Sequence, residues 1–257
     1  MTTINPTTPG VRPSPIFLAV VAVTGIGVWL TTTDTVSDGI SVFVMVAAGW
    51  LLSLIFHEFA HAWVAWKGGD HSVAAKGYLS LDPRKYTDPV TSLGIPILLV
   101  LAGGIGLPGG AVWINRGALR SPATASLVSL AGPATNLVFA AVCLLPISSG
   151  LVDPERHTVL AAGLAFLGFL QVTAFVLNML PIPGLDGFGA IEPYLSRSVL
   201  TALLPIRRYS LMAVFFLLWF VEPARTAFWN LVRSVLGAFG VDDRLFPIGL
   251  DLFQFWQ

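Results

Sequence analysis

The sequence predicts an all-α protein that crosses a membrane several times. Of its 257 residues, 55% are hydrophobic and 11% are charged, whereas about 25% of the residues in an average soluble domain are charged. The mean hydropathy is +0.79, and the apolar residues are concentrated in runs long enough for membrane helices. Basic and acidic residues are equally numerous, 14 each, so nothing in the composition indicates a nucleic-acid partner.

Five apolar stretches are predicted to form the membrane helices. A helix needs about 20 mainly apolar residues to cross the hydrocarbon core. The stretches that approach this length are 16–30, 40–66, 123–147, 159–180 and 209–239. The fifth is interrupted by Glu222 and Pro223, so it is either one kinked helix or a membrane helix followed by an interfacial one. Five to six membrane helices are therefore expected.

Two further segments have a predicted structure of their own. Residues 91–111 are apolar but contain two prolines and six glycines. Irregular backbone at membrane depth is tolerated only where it is buried in protein or lines a wet cavity, so we expect a re-entrant or cavity-lining segment there. The polar loop before it contains VAAKGYLSLDP, residues 73–83, which is predicted to form a short strand or β-hairpin near the membrane surface.

Lysine and arginine are distributed unevenly among the loops. They precede the first predicted helix and populate the polar loop after the second, whereas residues 31–39 contain none. Cytoplasmic loops carry the excess of basic residues, so the N-terminus and the polar loop are predicted to be cytoplasmic. The predicted organisation is a disordered tail (1–15), a single membrane domain (16–240, with its motifs in 40–190) and a C-terminal tail (241–257) that could lie at the membrane interface.

The motif HEFAH, residues 57–61, lies inside the second predicted membrane helix. Two histidines at positions i and i+4 project from one helix face, so their imidazoles can bind one metal ion. Glu58, next to the first histidine, can then act as a general base on a metal-bound water. Ionisable residues are rare inside membrane helices and usually functional, which favours a metal site over an incidental polar helix face.

A catalytic zinc site usually has a third protein ligand, and several residues are candidates for it. His71 lies in the polar loop, and His157 lies in a loop predicted to be on the opposite side of the membrane. Asp186, in the turn NMLPIPGLDG (178–187), is the better candidate, although an aspartate before glycine is also typical of a solvated turn. Two neutral imidazoles, Zn²⁺, one carboxylate and a hydroxide sum to zero charge, which suits a site of low dielectric constant.

Asn136 is the polar residue whose role needs an explanation in the third motif-bearing stretch, SLAGPATNLVFA (129–140). Asparagine commonly forms hydrogen bonds between membrane helices. Alternatively, its amide could donate a hydrogen bond to a substrate carbonyl or its developing oxyanion. On the residues alone, the packing role is favoured.

Taken together, three motifs in this order resemble the site-2 protease family of intramembrane zinc metalloproteases. The family patterns are HExxH, GPxxN and NxxPxxxLDG. The residues that match them are His57-Glu58-Phe59-Ala60-His61, Gly132-Pro133-Ala134-Thr135-Asn136, and Asn178, Pro181 and Leu185-Asp186-Gly187. The chain lacks a long insertion that could hold a PDZ domain and has no CBS-like domain, so it looks most like the compact bacterial and archaeal members.

The resemblance implies a role for each matching position. The implied ligands of one zinc ion are His57, His61 and Asp186. Glu58 would be the catalytic acid and base, and Asn136 and Asn178 would support substrate binding or stabilise the oxyanion. The implied setting is a multi-pass protein of a bacterial or archaeal cell membrane.

The expected reaction is zinc-assisted hydrolysis of a peptide bond in or near a membrane span. The expected partners are single-span membrane proteins and the lipid bilayer, whereas the sequence gives no indication of oligomeric state. We further expect the predicted strand at 73–83 to pair with an unwound substrate, since strand addition is a common mode of peptide recognition. A zinc transporter or metallochaperone of the membrane is the alternative function, but it would not need Glu58 beside the first ligand.

Overall fold

The computed structural model describes residues 13–85 and 112–257, and the regular secondary structure in those ranges is helical. The helices are α1 (Pro15–Leu30), α2 (Asp38–Gly68), α3 (Ser72–Ala75), α4 (Pro122–Ser148), α5 (Thr158–Asn178), α6 (Asp186–Ile191), α7 (Arg197–Phe220), α8 (Glu222–Gly237) and α9 (Leu245–Phe253). Short 3-10 turns occur at Tyr78–Ser80, Pro83–Lys85, Arg116–Ala118 and Glu192–Tyr194. The predicted re-entrant segment, 91–111, lies outside the described residues.

Within the described ranges, three helices are long and apolar enough to cross a membrane: α2, α4 and α5. Helix α1 is also apolar but has only 16 residues. At about 1.5 Å per residue, the 31 residues of α2 exceed the roughly 30 Å of a hydrocarbon core. The predicted all-α class and the predicted first four apolar helices are thereby confirmed.

The helix ends follow local capping rules. Ser14 caps α1, where its hydroxyl accepts a hydrogen bond from the Phe17 N–H at 3.0 Å, and Pro15 occupies the first helical position. Ser121 and Pro122 begin α4 in the same way. Helix α2 ends at Gly69, whose φ of 118° lies in the left-handed region that favours glycine.

The predicted strand or hairpin at 73–83 is wrong. This stretch forms α3 and the turn Tyr78–Ser80, and it is interrupted by left-handed backbone at Gly77 (φ 79°) and Leu81 (φ 53°). The carbonyl of Ser80 accepts a hydrogen bond from the Ser14 N–H at 3.1 Å. This backbone therefore anchors the start of α1, and it offers no strand edge that could pair with a substrate.

Helix α2 is central, since it packs against α1, α4, α5 and α9. Glycines permit close approach of these helices, as is usual in membrane bundles. A Cβ atom at Gly168 of α5 would lie 2.6 Å from the Leu144 side chain of α4, and one at Gly27 of α1 would lie 2.6 Å from the Met45 backbone of α2. The close packing of α4 and α5 against α2 brings the three motif-bearing segments together.

The C-terminal third has two features that the sequence left open. The fifth apolar stretch is divided at Val221, where the backbone is extended (φ −110°, ψ 94°). The following helix, α8, buries Phe228, Val232 and Leu236 on one face, so the alternative of a break and an amphipathic second helix is the observed one. The predicted tail, 241–257, contains α9, which is packed against α2 and α5 and buries Phe253.

Candidate metal centre

Three side chains from two distant parts of the chain converge within the bundle. The Nε2 atoms of His57 and His61 lie 3.1 Å apart. The Asp186 Oδ2 atom lies 3.3 Å from the first and 3.4 Å from the second. Both histidines are buried and the aspartate is partly buried. These are the three residues that the motifs predicted as metal ligands.

The helices determine how this cluster forms. His57 and His61 are one turn apart on α2, so they share a face. The carboxylate reaches them because the chain turns sharply between α5 and α6, where Gly184 has a φ of 102°. Gly187 lies against the carbonyl groups of Met179 and Leu180, and a Cβ atom there would collide with both.

The spacing of the three atoms fits zinc. With bonds of about 2.0–2.1 Å, two ligands of a tetrahedral zinc site are about 3.3–3.4 Å apart, close to the separations observed here. The side chain of an aspartate is ionised near neutral pH unless it is deeply buried without a partner, and Asp186 is only partly buried. The carboxylate is therefore available as an anionic ligand.

The outer nitrogens of both imidazoles support the same conclusion. The Nδ1 atom of His61 lies 2.7 Å from the Val128 carbonyl oxygen, and that of His57 lies 2.7 Å from Oδ1 of Asn136. Because these oxygens only accept, each Nδ1 is a donor, and a neutral imidazole then has its lone pair on Nε2. Two such lone pairs and a carboxylate converge, which is an arrangement that a divalent cation stabilises.

Glu58 lies beside the cluster and is 4% exposed. Its Oε2 atom accepts a hydrogen bond from the Val112 N–H at 3.1 Å. Glu58 and the three candidate ligands line a cavity of about 200 Å³, which is large enough for several water molecules. Other residues that line this cavity include Arg116, Ser129, Asn178 and Glu192. A candidate general base, a candidate metal position and room for water thus lie together.

Gly132, the first residue of the second motif, lies against the two imidazoles. A Cβ atom there would lie 2.5 Å from Nε2 of His57 and would also collide with Nε2 of His61. The next residue, Pro133, has no N–H to donate to the Ser129 carbonyl one turn earlier. In the same turn, the Val128 carbonyl binds His61. The glycine of the motif therefore provides space for a metal ion, and the helical turn before the motif provides a hydrogen-bond acceptor for His61.

The two asparagines differ in position. Asn136 is buried with its amide between His57 and Gln171, donating to Gln171 Oε1 at 2.9 Å. It is absent from the lining of the 200 Å³ cavity. Asn178 is also buried, but it lines both that cavity and a smaller one beside Trp50. These contacts suggest a positioning role for Asn136, whereas Asn178 can face a substrate.

The two alternative histidines are not part of this cluster. His71 is exposed and its ring contacts Trp66 edge to face, with 6.2 Å between ring centroids. His157 is exposed at the start of α5. Among the residues that the structure describes, the group of three potential metal ligands is His57, His61 and Asp186.

The sequence-based reasoning missed two sets of residues at this site. Gln171 is fully buried in α5 and contacts Ser53 of α2, and its position as a lone amide in an otherwise apolar run was the available signal. Arg116 forms an ion pair with Glu192 at 2.9 Å, and both residues line the cavity. No sequence motif indicated that pair, because it joins two loops.

Comparison with known proteins places the chain in a family. No family model and no solved structure matches it. It is 48% identical to "Putative zinc metalloprotease Rip2" of Mycolicibacterium smegmatis over 99% of this chain and 98% of the relative. It is 49% identical to the protein of that name from Mycobacterium tuberculosis (96% and 95% covered) and 33% identical to "Putative zinc metalloprotease YwhC" of Bacillus subtilis (72% and 84%). The chain is therefore a zinc metalloprotease and belongs to the site-2 protease family of intramembrane zinc metalloproteases.

Proposed function

We propose that this enzyme hydrolyses peptide bonds in or near the membrane spans of single-span membrane proteins. The observation that carries the proposal is the cluster of His57, His61 and Asp186 with Glu58 at its side. The two histidines and the glutamate lie on α2, which is long enough to span a membrane. In the proposal, the two histidines and the aspartate hold one zinc ion. The names of the relatives, all zinc metalloproteases, favour proteolysis over zinc transport.

The proposed setting is a bacterial or archaeal cell membrane that the chain crosses five to six times, with its N-terminus in the cytoplasm. The support for it consists of three helices of spanning length, the shorter apolar helix α1 and the basic residues of the loop after α2. We also propose that residues 16–240 form a single catalytic membrane domain. The partners in this setting are the bilayer and the substrate span.

Each side chain has a separate task in the proposed reaction. When bound, zinc lowers the pKa of a coordinated water from 15.7 to about 7 and polarises the substrate carbonyl. Glu58 accepts the proton of the attacking water and later transfers it to the leaving amine. The Val112 N–H holds Oε2 of Glu58, and the proposal assigns the proton transfer to the other oxygen. Asn178, on the cavity wall, donates a hydrogen bond to the substrate.

The substrate must be unwound locally before this chemistry. In an intact helix, each peptide carbonyl is hydrogen-bonded and surrounded by side chains, so it cannot reach a site enclosed by α2, α4 and α6. A membrane span has no water to satisfy the released groups. Water in the cavity and the polar residues that line it, among them Ser129 and Arg116, can supply partners.

Membrane proteomics tests the proposed substrate class. Cells that produce Glu58→Gln protein in place of the intact enzyme are expected to accumulate single-span proteins, or membrane-retained fragments of them, that disappear when the intact enzyme is present. Quantification of membrane fractions by mass spectrometry checks this result. If only soluble proteins accumulate, the proposed substrate class is wrong.

The Asp186→Asn variant tests the proposed ligand set. An amide oxygen is neutral and binds zinc more weakly than a carboxylate, so we expect the zinc content to fall from one ion per chain to a small fraction of that. Atomic absorption on the purified protein measures the content. The matched control is Asp34→Asn in the exposed loop between α1 and α2, which should keep its zinc. Equal zinc in both variants would exclude Asp186 as a ligand.

A further inference from the structure

A chain of buried hydrogen bonds leads from the candidate metal centre into the bundle. From His57 it runs to Asn136 (2.7 Å), on to Gln171 (2.9 Å) and to the Ser53 hydroxyl (2.8 Å). It ends where that hydroxyl donates to the Trp50 carbonyl oxygen at 2.7 Å. All four side chains are at most 5% exposed, so bulk water does not reach them.

The direction of every bond in this chain follows from its last member. A backbone carbonyl only accepts, so the Ser53 hydroxyl donates to Trp50, and its oxygen is left to accept from Gln171. The NH₂ group of Gln171 must therefore face Ser53, and its Oε1 atom must face the NH₂ group of Asn136. Rotating either amide by 180° would set two donors or two acceptors against each other, which is costly in a buried site.

We infer that Gln171 and Ser53 are positioning residues that hold the His57 imidazole in its metal-binding tautomer. Because the Asn136 amide is oriented by Gln171, its oxygen faces Nδ1 of His57, which then carries the proton and leaves the Nε2 lone pair directed at Asp186 and His61. His61 needs no such chain of side chains, since its Nδ1 atom forms a hydrogen bond directly with the Val128 carbonyl oxygen. The inference rests on the proposed zinc site, and it extends that site across three helices.

Substitution of Gln171 by leucine removes the group that orients Asn136. The freed amide can then rotate and present its NH₂ group to His57, which favours the tautomer with the proton on Nε2. We expect zinc affinity to fall about 10- to 100-fold, as is typical when an outer partner of a metal ligand is lost. Competition with a chromophoric chelator measures this affinity.

The Gln171→Glu variant is the matched control. Buried among neutral groups, this side chain takes up a proton, and a neutral carboxylic acid has a carbonyl oxygen for Asn136 and an O–H for Ser53. Each hydrogen bond in the chain thereby keeps its direction from donor to acceptor. We expect zinc affinity within about threefold of that of the intact protein. If Gln171 only filled space, leucine and glutamate, which are of similar size, would change zinc affinity by similar amounts.

The tautomer of each histidine can be measured directly by NMR, without an assay of enzymatic activity. In chelator-treated protein labelled with ¹⁵N-histidine, at a pH well above the ordinary pKa of imidazole, long-range ¹H–¹⁵N spectra should show Nδ1 of His57 protonated in the intact protein and in Gln171→Glu. A mixture of tautomers is expected in Gln171→Leu, with His61 unchanged. An unaltered His57 in the leucine variant, or an equal change at His61, would overturn the inference. Neither zinc affinity nor the tautomer of His57 depends on cleavage. The inference can therefore fail or succeed independently of the proposed proteolysis.

Discussion

Replacement of Glu58 by glutamine is expected to abolish proteolysis while zinc remains bound. The amide keeps an oxygen that can accept from the Val112 N–H, a bond of 3.1 Å in the structure, so the cavity keeps its shape. It cannot take a proton from water, and general bases contribute about 10²- to 10⁴-fold to rate. Cleavage of a fluorescent single-span substrate in proteoliposomes measures the loss, and metal analysis of the same preparation measures zinc.

The control for this variant is Glu155→Gln, in the exposed loop before α5. It has the same change of charge and should cleave at the rate of the intact enzyme. A Glu58→Gln enzyme that retains more than a tenth of the normal rate would show that another group serves as the base. Loss of zinc together with cleavage would instead show that Glu58 holds the metal site together.

Replacement of Gly132 by alanine is expected to eliminate zinc binding without unfolding the protein. The added Cβ atom would lie against the Nε2 atoms of both His57 and His61, at the place where the metal must bind. Alanine is otherwise favoured over glycine inside a helix by about 1 kcal/mol, so α4 itself should not be weakened. We expect nearly zinc-free protein with thermal stability close to that of the chelator-treated intact protein.

The matched control is Gly25→Ala in α1. A Cβ atom at Gly25 has nothing within 4 Å, so this variant gains the same helix propensity and makes no new contact at the site. Zinc content by atomic absorption and melting temperature in detergent should match those of the intact protein. Full zinc content in Gly132→Ala would contradict the arrangement of α4 against the imidazoles.

Several features of the fold were predictable because their causes are local. The runs at 123–147 and 159–180 predicted α4 and α5 nearly to their ends, since length and composition are sufficient to identify a buried apolar helix. The stretch 73–83 was not predictable in the same way. Its alternating residues are compatible with a strand, but Val73 and Leu79 are buried against α2 and α4, and this packing favours short helical turns.

The candidate site shows the same distinction between features with local causes and features that depend on tertiary packing. The pairing of His57 with His61 depends only on the period of a helix, so it could be inferred directly from HEFAH. From the residues alone, Asp186 was a better candidate for the third ligand than either loop histidine, but a solvated turn remained an equal alternative until the resemblance to a family was considered. Gln171 was overlooked, because its partners Asn136 and Ser53 lie on two other helices.

By itself, then, the sequence determined that the chain forms apolar helices and that one of them presents two imidazoles and a carboxylate on adjacent turns. Both properties arise from residues within a few positions of one another. The tertiary structure decided that Asp186 completes the cluster, that Gly132 leaves room for a metal and that Asn136 faces His57 rather than the cavity. These contacts join residues 71 to 129 positions apart, and such contacts exist only after α2, α4 and α5 have packed together.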